Sequence, residues 1–198
     1  MTDGIPIRPH WRIIPPGGTV EGGEIGIIVK PGAGWGTGAH ETTQLCLQAI
    51  AMMVPKHDPQ SGWSLLDFGS GSGILSIGAA RLGACVTAIE IDEEGIANAE
   101  ENARLNGVGD RIQSARALEV KEERFDVVVA NILRPILLDF AKSLCAHLAP
   151  GGTLILSGLV ATDLPEVGTR YASFLSGRQP VIYKRGEWRA LIWRTRDA

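Results

Sequence analysis

Hydrophobic and polar positions change rhythm along the chain. From residue 64 onward, short runs of aliphatic and β-branched residues alternate with longer segments in which apolar residues recur every three or four positions. The runs at 64–68, 85–89, 125–130 and 153–157 have the pattern of strands buried on both faces of a parallel sheet. Helices are predicted between them. One runs from Ile74 to Leu82 and stops at Gly83. A second follows Asp92, a good N-cap, and ends at Asn106-Gly107. A third spans 136–148 and is closed by Pro150-Gly151-Gly152. Steady alternation of strand and helix predicts βαβ units and an α/β fold with an open, doubly wound, mostly parallel sheet.

Both ends depart from that rhythm. Residues 180–184 and 188–194 are β-like runs joined by Arg185-Gly186-Glu187, a short polar connector that predicts a C-terminal antiparallel hairpin. Near the start, Pro15-Pro16-Gly17-Gly18 and Gly22-Gly23 break the chain, and 25–29 predicts a strand. Residues 31–40 are dense in glycine, and a helix is predicted from Glu41 to Met53. We therefore expect a short N-terminal extension with β structure over 1–31 and one domain over 32–198.

Length and composition agree with this division: 198 residues, 44% of them hydrophobic, suit one domain and exclude a wholly disordered chain. The charge balance of 19 basic against 22 acidic residues supplies no global basic field, which argues against a nucleic-acid partner. Lys184, Arg185 and Arg189 read as a solvated face. Cys46, Cys85 and Cys145 are far apart and each lies in an apolar stretch, the usage of small buried hydrophobes. His10, His57 and His147 have no carboxylate or cysteine at ligand spacing, so no metal is expected. The N-terminus, with Asp3, Pro6 and Pro9, lacks the pattern of a signal peptide, and Arg81 and Arg134 interrupt the longest apolar stretches. The expectation is a cytoplasmic protein with no membrane partner; its oligomeric state is open.

The sharpest chemical signal is Asp67-Phe68-Gly69-Ser70-Gly71-Ser72-Gly73, placed where a strand turns into a helix. Glycines there let a ligand approach the main chain without a Cβ clash. Glu90 ends the next strand, where a carboxylate can accept from both hydroxyls of a ribose. Dinucleotide enzymes use GxGxxG, but Ile74 occupies the position where that pattern needs its last glycine. Asp67, two residues before the turn, would repel a pyrophosphate and suits the ammonium end of a methionine. S-adenosylmethionine meets both conditions. No serine holds the centre of the glycine-serine run, which argues against the nucleophile elbow of a hydrolase.

The Asp67–Gly73 segment resembles motif I of class I S-adenosylmethionine-dependent methyltransferases. Together with Gly36-Thr37-Gly38-Ala39-His40-Glu41-Thr42-Thr43, with Glu93 through Asn106-Gly107, and with Val128-Val129-Ala130-Asn131-Ile132-Leu133, it resembles the PrmA family, whose members trimethylate a large-subunit ribosomal protein (number eleven). The likeness runs from about Gly32 to the C-terminus and includes Ser157-Gly158. It implies a Rossmann-like methyltransferase fold with a seven-stranded sheet and S-adenosyl-L-methionine as cofactor. It also implies cofactor contacts at Thr43, Asp67, Gly69, Ser70, Gly71, Gly73, Glu90, Ile91 and Asn131, with Asn131 beside the transferred methyl group as the catalytic residue. Glu90 stands where the family usually has Asp, and the segment 114–117, with Arg116, stands where an acidic or glycine-rich stretch commonly meets the adenine.

Methyl transfer needs alignment and exclusion of water more than acid catalysis, because the sulfur leaves neutral. An amine acceptor must shed its proton, and the carbonyls of Asn131 can accept from it and orient it; equally, an Asn at a strand end can bond its own turn. His40 reads as a base or as a structural loop histidine, and Trp35 as a pocket wall or a core plug. The expected function is N-methylation of a protein amine, a lysine or N-terminus, with a ribosomal protein as candidate partner. A small-molecule methyltransferase and a cofactor-binding module without catalysis are the alternatives. PrmA enzymes carry a separate N-terminal recognition domain, and the roughly thirty residues before Gly36 are too few for one. The expectation is a catalytic domain lacking that part.

Overall fold

The computed structural model describes residues 4–7, 11–20, 22–30, 40–53, 62–117 and 123–195. The main sheet begins with β4 (Trp63–Phe68), α2 (Ile74–Arg81), β5 (Ala84–Ile89), α3 (Glu93–Leu105) and β6 (Ile112–Ala115). The chain then crosses to β7 (Phe125–Asn131), α4 (Arg134–Asp139), α5 (Ala141–Ala146), β8 (Leu148–Val160) and α6 (Leu164–Ala172), and closes with β9 (Val181–Arg185) and β10 (Trp188–Arg194). The seven strands lie in the order β6-β5-β4-β7-β8-β10-β9. All pairings are parallel except β10 with β8 and with β9. The doubly wound sheet and its C-terminal hairpin are as the periodicity predicts.

Apolar side chains alternate between the two faces of the sheet because successive residues of a strand point opposite ways. Leu65, Val127, Val129, Ile155 and Ile192 pack on one face and Leu66, Val128, Ala130, Leu154 and Leu156 on the other, all buried. The first face is covered by α1 (Glu41–Ala51), by α2, and by a small sheet of β1 (Ile5–Ile7), β2 (Trp11–Ile14) and β3 (Ile25–Ile28). Trp11, Ile13 and Ile27 of that small sheet share one apolar cluster with the main sheet. The second face is covered by α4, α5 and α6 through Leu137, Leu144, Val167 and Tyr171. Among the described residues no helix is long and apolar enough to cross a membrane.

Three features differ from the sequence reading. The helix expected over 136–148 is two short helices that meet at Phe140 (ψ 4°), starts earlier with Pro135 in its first turn, and yields Leu148 to β8. Strand β6, Ile-Gln-Ser-Ala, has no apolar run, and its formation rests on pairing with β5. Helix α6 carries Pro165 and Gly168 and forms because Val167 and Tyr171, one turn apart, are both buried.

Candidate functional site

Strands β4 and β7 are neighbours, yet the chain leaves β4 toward β5 and leaves β7 toward β8. Their C-terminal ends form the topological switch point, the crevice in which open α/β sheets bind ligands. The turn at 69–73 fills one side of it. Gly69 and Ser70 N–H groups both donate to the Ile89 carbonyl, at 2.8 and 2.9 Å, which ties the turn to the end of β5. Gly69 has φ +80°, and a Cβ there would stand 2.5 Å from Ile132 Cγ2. Ser70 and Ser72 are buried within the turn, and Gly73 is the N-cap of α2.

Glu90 binds this turn to the start of α3. Its Oε2 accepts from Gly71 N–H at 2.9 Å, and its Oε1 accepts from Ile91 N–H at 2.8 Å and Asp92 N–H at 3.1 Å. Ile91, beside it, is 81% exposed. Asp67 is fully buried; its Oδ2 accepts from Ser76 Oγ at 2.6 Å and from Ser76 N–H at 3.1 Å. Oδ1 of the same carboxylate has no hydrogen-bond partner among the described residues. Burial pushes the Asp67 carboxyl up to about 6, against the pull of the two Ser76 hydrogen bonds and with the help of the Glu90 charge. A buried carboxylate with an unanswered oxygen is costly, and a cation placed near it removes that cost. The turn therefore suits a ligand with a positive end and a sugar diol.

Asn131 stands across the crevice at the end of β7, in register with Ser157 of β8. Its Nδ2 donates to Thr42 Oγ1 at 3.2 Å. The Thr42 hydroxyl lies 2.8 Å from His40 Nδ1, and His40 caps α1 by accepting from Thr42 N–H at 3.4 Å. The His40 ring meets Trp188 edge-on, with centroids 4.7 Å apart. Ser157 Oγ donates to the Arg189 carbonyl at 3.2 Å and so fixes β8 to β10. Gly158 has φ +82°, and a Cβ there would stand 2.5 Å from the Ile132 carbonyl oxygen. Ile132 is thus held between Gly69 on one side and Gly158 on the other.

All nine residues singled out from the sequence are described, and they gather at this edge of the sheet or beside it. Thr43 is buried on α1 at 2% exposure, while its neighbour Thr42 makes the bond to Asn131. Thr42 and Ile132 received no role from the sequence; the doubled threonine at the start of α1 was the available signal for the first. Arg116 forms an ion pair with Glu93, and a cavity of about 440 Å³ opens beside the end of β6 against Ile89, Ser114, Ala115 and Arg116. Trp35, the glycine-dense loop before His40, His10 and His57 lie outside the described residues.

Comparison with known proteins matches residues 1–196 to the family described as ribosomal protein L11 methyltransferase (PrmA). A relative from Trichlorobacter lovleyi, named ribosomal protein L11 methyltransferase, is 39% identical over 191 residues, covering 95% of this chain and 61% of its own length. One of the same name from Geobacter sp. strain M21 is 41% identical over 95% of this chain and 60% of its own length. The chain spans about 60% of the length of these relatives. The crystal structure of a ribosomal protein L11 methylase from Lactobacillus delbrueckii subsp. bulgaricus superposes with a TM-score of 0.84 at 34% identity, covering 97% of this chain and 98% of that one. A Thermus thermophilus 16S rRNA methyltransferase solved with AdoMet and guanosine shares the fold, with a TM-score of 0.65 at 22% identity over 80% of this chain and 44% of that one.

Proposed function

Because the chain belongs to the ribosomal protein L11 methyltransferase (PrmA) family, we propose that it is an S-adenosylmethionine-dependent methyltransferase acting on protein amines, with ribosomal protein L11 as acceptor. The observation that carries this reading is the convergence of the 69–73 turn, Glu90 and Asn131 on one crevice at the C-terminal ends of β4 and β7. The cofactor supplies a methyl group on a positive sulfur, which departs neutral as the nitrogen–carbon bond forms.

This chain's residues would bind, orient and keep water out. Glu90 would hold a ribose hydroxyl, since three N–H donors fix its carboxylate and leave about one of its roughly four acceptor positions open. Asp67 would face the ammonium end, and the Gly69 backbone would lie along the methionine part. Ile91, Ser114 and Ala115 would border the adenine, next to the cavity at the end of β6. With its Nδ2 held by Thr42, Asn131 presents Oδ1 to an incoming amine, which has lost its proton to solvent. Thr43 supports this wall from within α1.

Calorimetry with S-adenosylmethionine and S-adenosylhomocysteine tests the cofactor half, and absence of binding to both overturns it. Incubation with methyl-labelled cofactor and purified ribosomal protein L11 tests the acceptor half, and label on the protein is expected. Label found only on small molecules of a cell extract redirects the acceptor, and no label anywhere reduces the chain to a binding module.

A further inference from the structure

Three asparagines of α3 and its C-cap, Asn98, Asn102 and Asn106, recur at a spacing of four and so share one face of the helix. Backbone groups that continue β3 meet that face. Asn106 Oδ1 accepts from Ile28 N–H at 2.8 Å and its Nδ2 donates to the Ile28 carbonyl at 2.7 Å. Asn102 Oδ1 accepts from Lys30 N–H at 2.9 Å, and Asn98 Nδ2 donates to the Lys30 carbonyl at 3.4 Å. The match is geometric. Alternate residues of a strand lie about 6.6 Å apart and point their amides the same way, while four residues of helix advance about 6.0 Å. The row of side-chain amides therefore takes the place of a neighbouring strand along residues 28–30.

Asn102 does more than its two neighbours. It is 0% exposed, and while its Oδ1 holds Lys30, its Nδ2 donates to the Ser72 carbonyl at 3.0 Å. One amide thus ties the end of β3 to the turn at 69–73. Ala99, three residues earlier on the same helix, lies against that turn at Gly73, where an added Cβ would stand 3.0 Å from Ala99 Cβ. Ser72 follows Gly71, whose N–H is held by Glu90. The turn is therefore pinned from two sides, by Glu90 at Gly71 and by Asn102 at Ser72.

We propose that Asn102 is a positioning residue for cofactor binding: its amide sets the 69–73 turn in the conformation that receives S-adenosylmethionine. The inference rests on the methyltransferase reading above. Asn106 is the internal control, because it makes the same kind of bond to β3 without touching the turn.

The test compares Asn102→Ala, Asn102→Ser and Asn106→Ala with the unaltered chain by calorimetry with S-adenosylhomocysteine, at a temperature where thermal melting shows each to be folded. Loss of the Ser72 bond is expected to raise the Kd of both Asn102 variants about tenfold, in line with the loss of one buried hydrogen bond. Asn106→Ala is expected to melt earlier and to keep its Kd within about twofold, because the turn keeps its donor. In steady state, the Asn102 defect should fall on KM for S-adenosylmethionine more than on kcat. Unchanged Kd in a folded Asn102 variant, or an equal rise in Asn106→Ala, overturns the proposal. If the unaltered chain binds neither ligand, it is the methyltransferase reading that has failed, and the two failures are told apart.

Discussion

Gly158→Ala isolates the clamp on Ile132. Gly158 has φ +82°, and the added methyl would stand 2.5 Å from the Ile132 carbonyl oxygen and 3.2 Å from its carbon, about 0.9 Å short of ordinary contact at 3.4 Å. The clash is with backbone, so no rotamer change relieves it, and the 131–132 segment must shift by nearly that distance. Asn131 is covalently next to the displaced group, and in the proposed role a misplacement of about 1 Å costs on the order of 100-fold in rate. The left-handed backbone adds about 1–2 kcal/mol of destabilisation for alanine. Gly177→Ala separates the two effects, because Gly177 has φ +75° and nothing within 4 Å of its hypothetical Cβ. Both variants should therefore unfold at lower urea. Only Gly158→Ala should lose kcat about 100-fold in transfer of labelled methyl to ribosomal protein L11. Its affinity for S-adenosylhomocysteine should change by no more than a few-fold. A folded Gly158→Ala that keeps kcat within about threefold of Gly177→Ala would refute the claim that the clamp sets Asn131.

Three further outcomes follow from the same geometry. Thr42→Val keeps the shape of the side chain and removes the hydroxyl that accepts from Asn131, so kcat should fall about tenfold with cofactor affinity unchanged; an unaltered rate would detach Thr42 from the site. Glu90→Gln puts a donor beside one of three N–H groups and removes the charge from the proposed ribose contact, so calorimetry should show S-adenosylhomocysteine bound about 10- to 100-fold more weakly, and an intact Kd would count against the role of Glu90. The Asp67 carboxyl has a folded pKa of about 6 against 3.8 ordinarily, so the folded state binds more protons between those values. Its contribution to stability is present below about pH 4 and is lost as pH rises to about 6, to the extent of about 3 kcal/mol. Urea titrations from pH 4 to 7 should show this slope in the unaltered protein and not in Asp67→Asn, whereas binding of a ligand ammonium, which favours the ionised carboxylate, should strengthen with pH over the same interval.

The sheet is legible because its central strands are short β-branched apolar runs bounded by turn residues: Val127, Val128 and Val129 lie in β7, all 0% exposed. The place of Glu90 is legible as well: a carboxylate ending the strand after a glycine turn reaches that turn, and its Oε2 accepts from Gly71 N–H. What stayed hidden depends on partners distant in sequence. Thr42 meets Asn131 across 89 residues, and Asn106 meets Ile28 across 78, so neither pairing leaves a periodic trace. The need for glycine at 158 arises from the Ile132 carbonyl in the loop after the neighbouring strand β7, again a partner distant in sequence. Strand β6 stayed hidden because Ile112–Ala115 has no apolar run and becomes a strand only through pairing with β5.

The proposed methyl transfer needs no acid and puts its weight on position, which the crevice suits. Most of its fixed points are backbone groups: Gly69 and Ser70 on Ile89, Gly71 on Glu90, Ser72 on Asn102, Ile132 between two glycines. Backbone held this way loses little further entropy when a ligand arrives, which makes the gain on binding larger for the same contacts. Asp67 is the exception, a buried carboxylate only partly answered by Ser76. Such a group destabilises the empty crevice and stabilises the one that holds a cation, so the cost of burying it returns as discrimination. A neutral analogue lacking the ammonium should therefore lose more affinity at pH 7, where Asp67 is ionised, than at pH 5, where it is largely protonated. Calorimetry with S-adenosylhomocysteine and with its desamino analogue at the two pH values measures that difference. An equal loss at both would mean that the charge of Asp67 plays no part in recognising the cofactor.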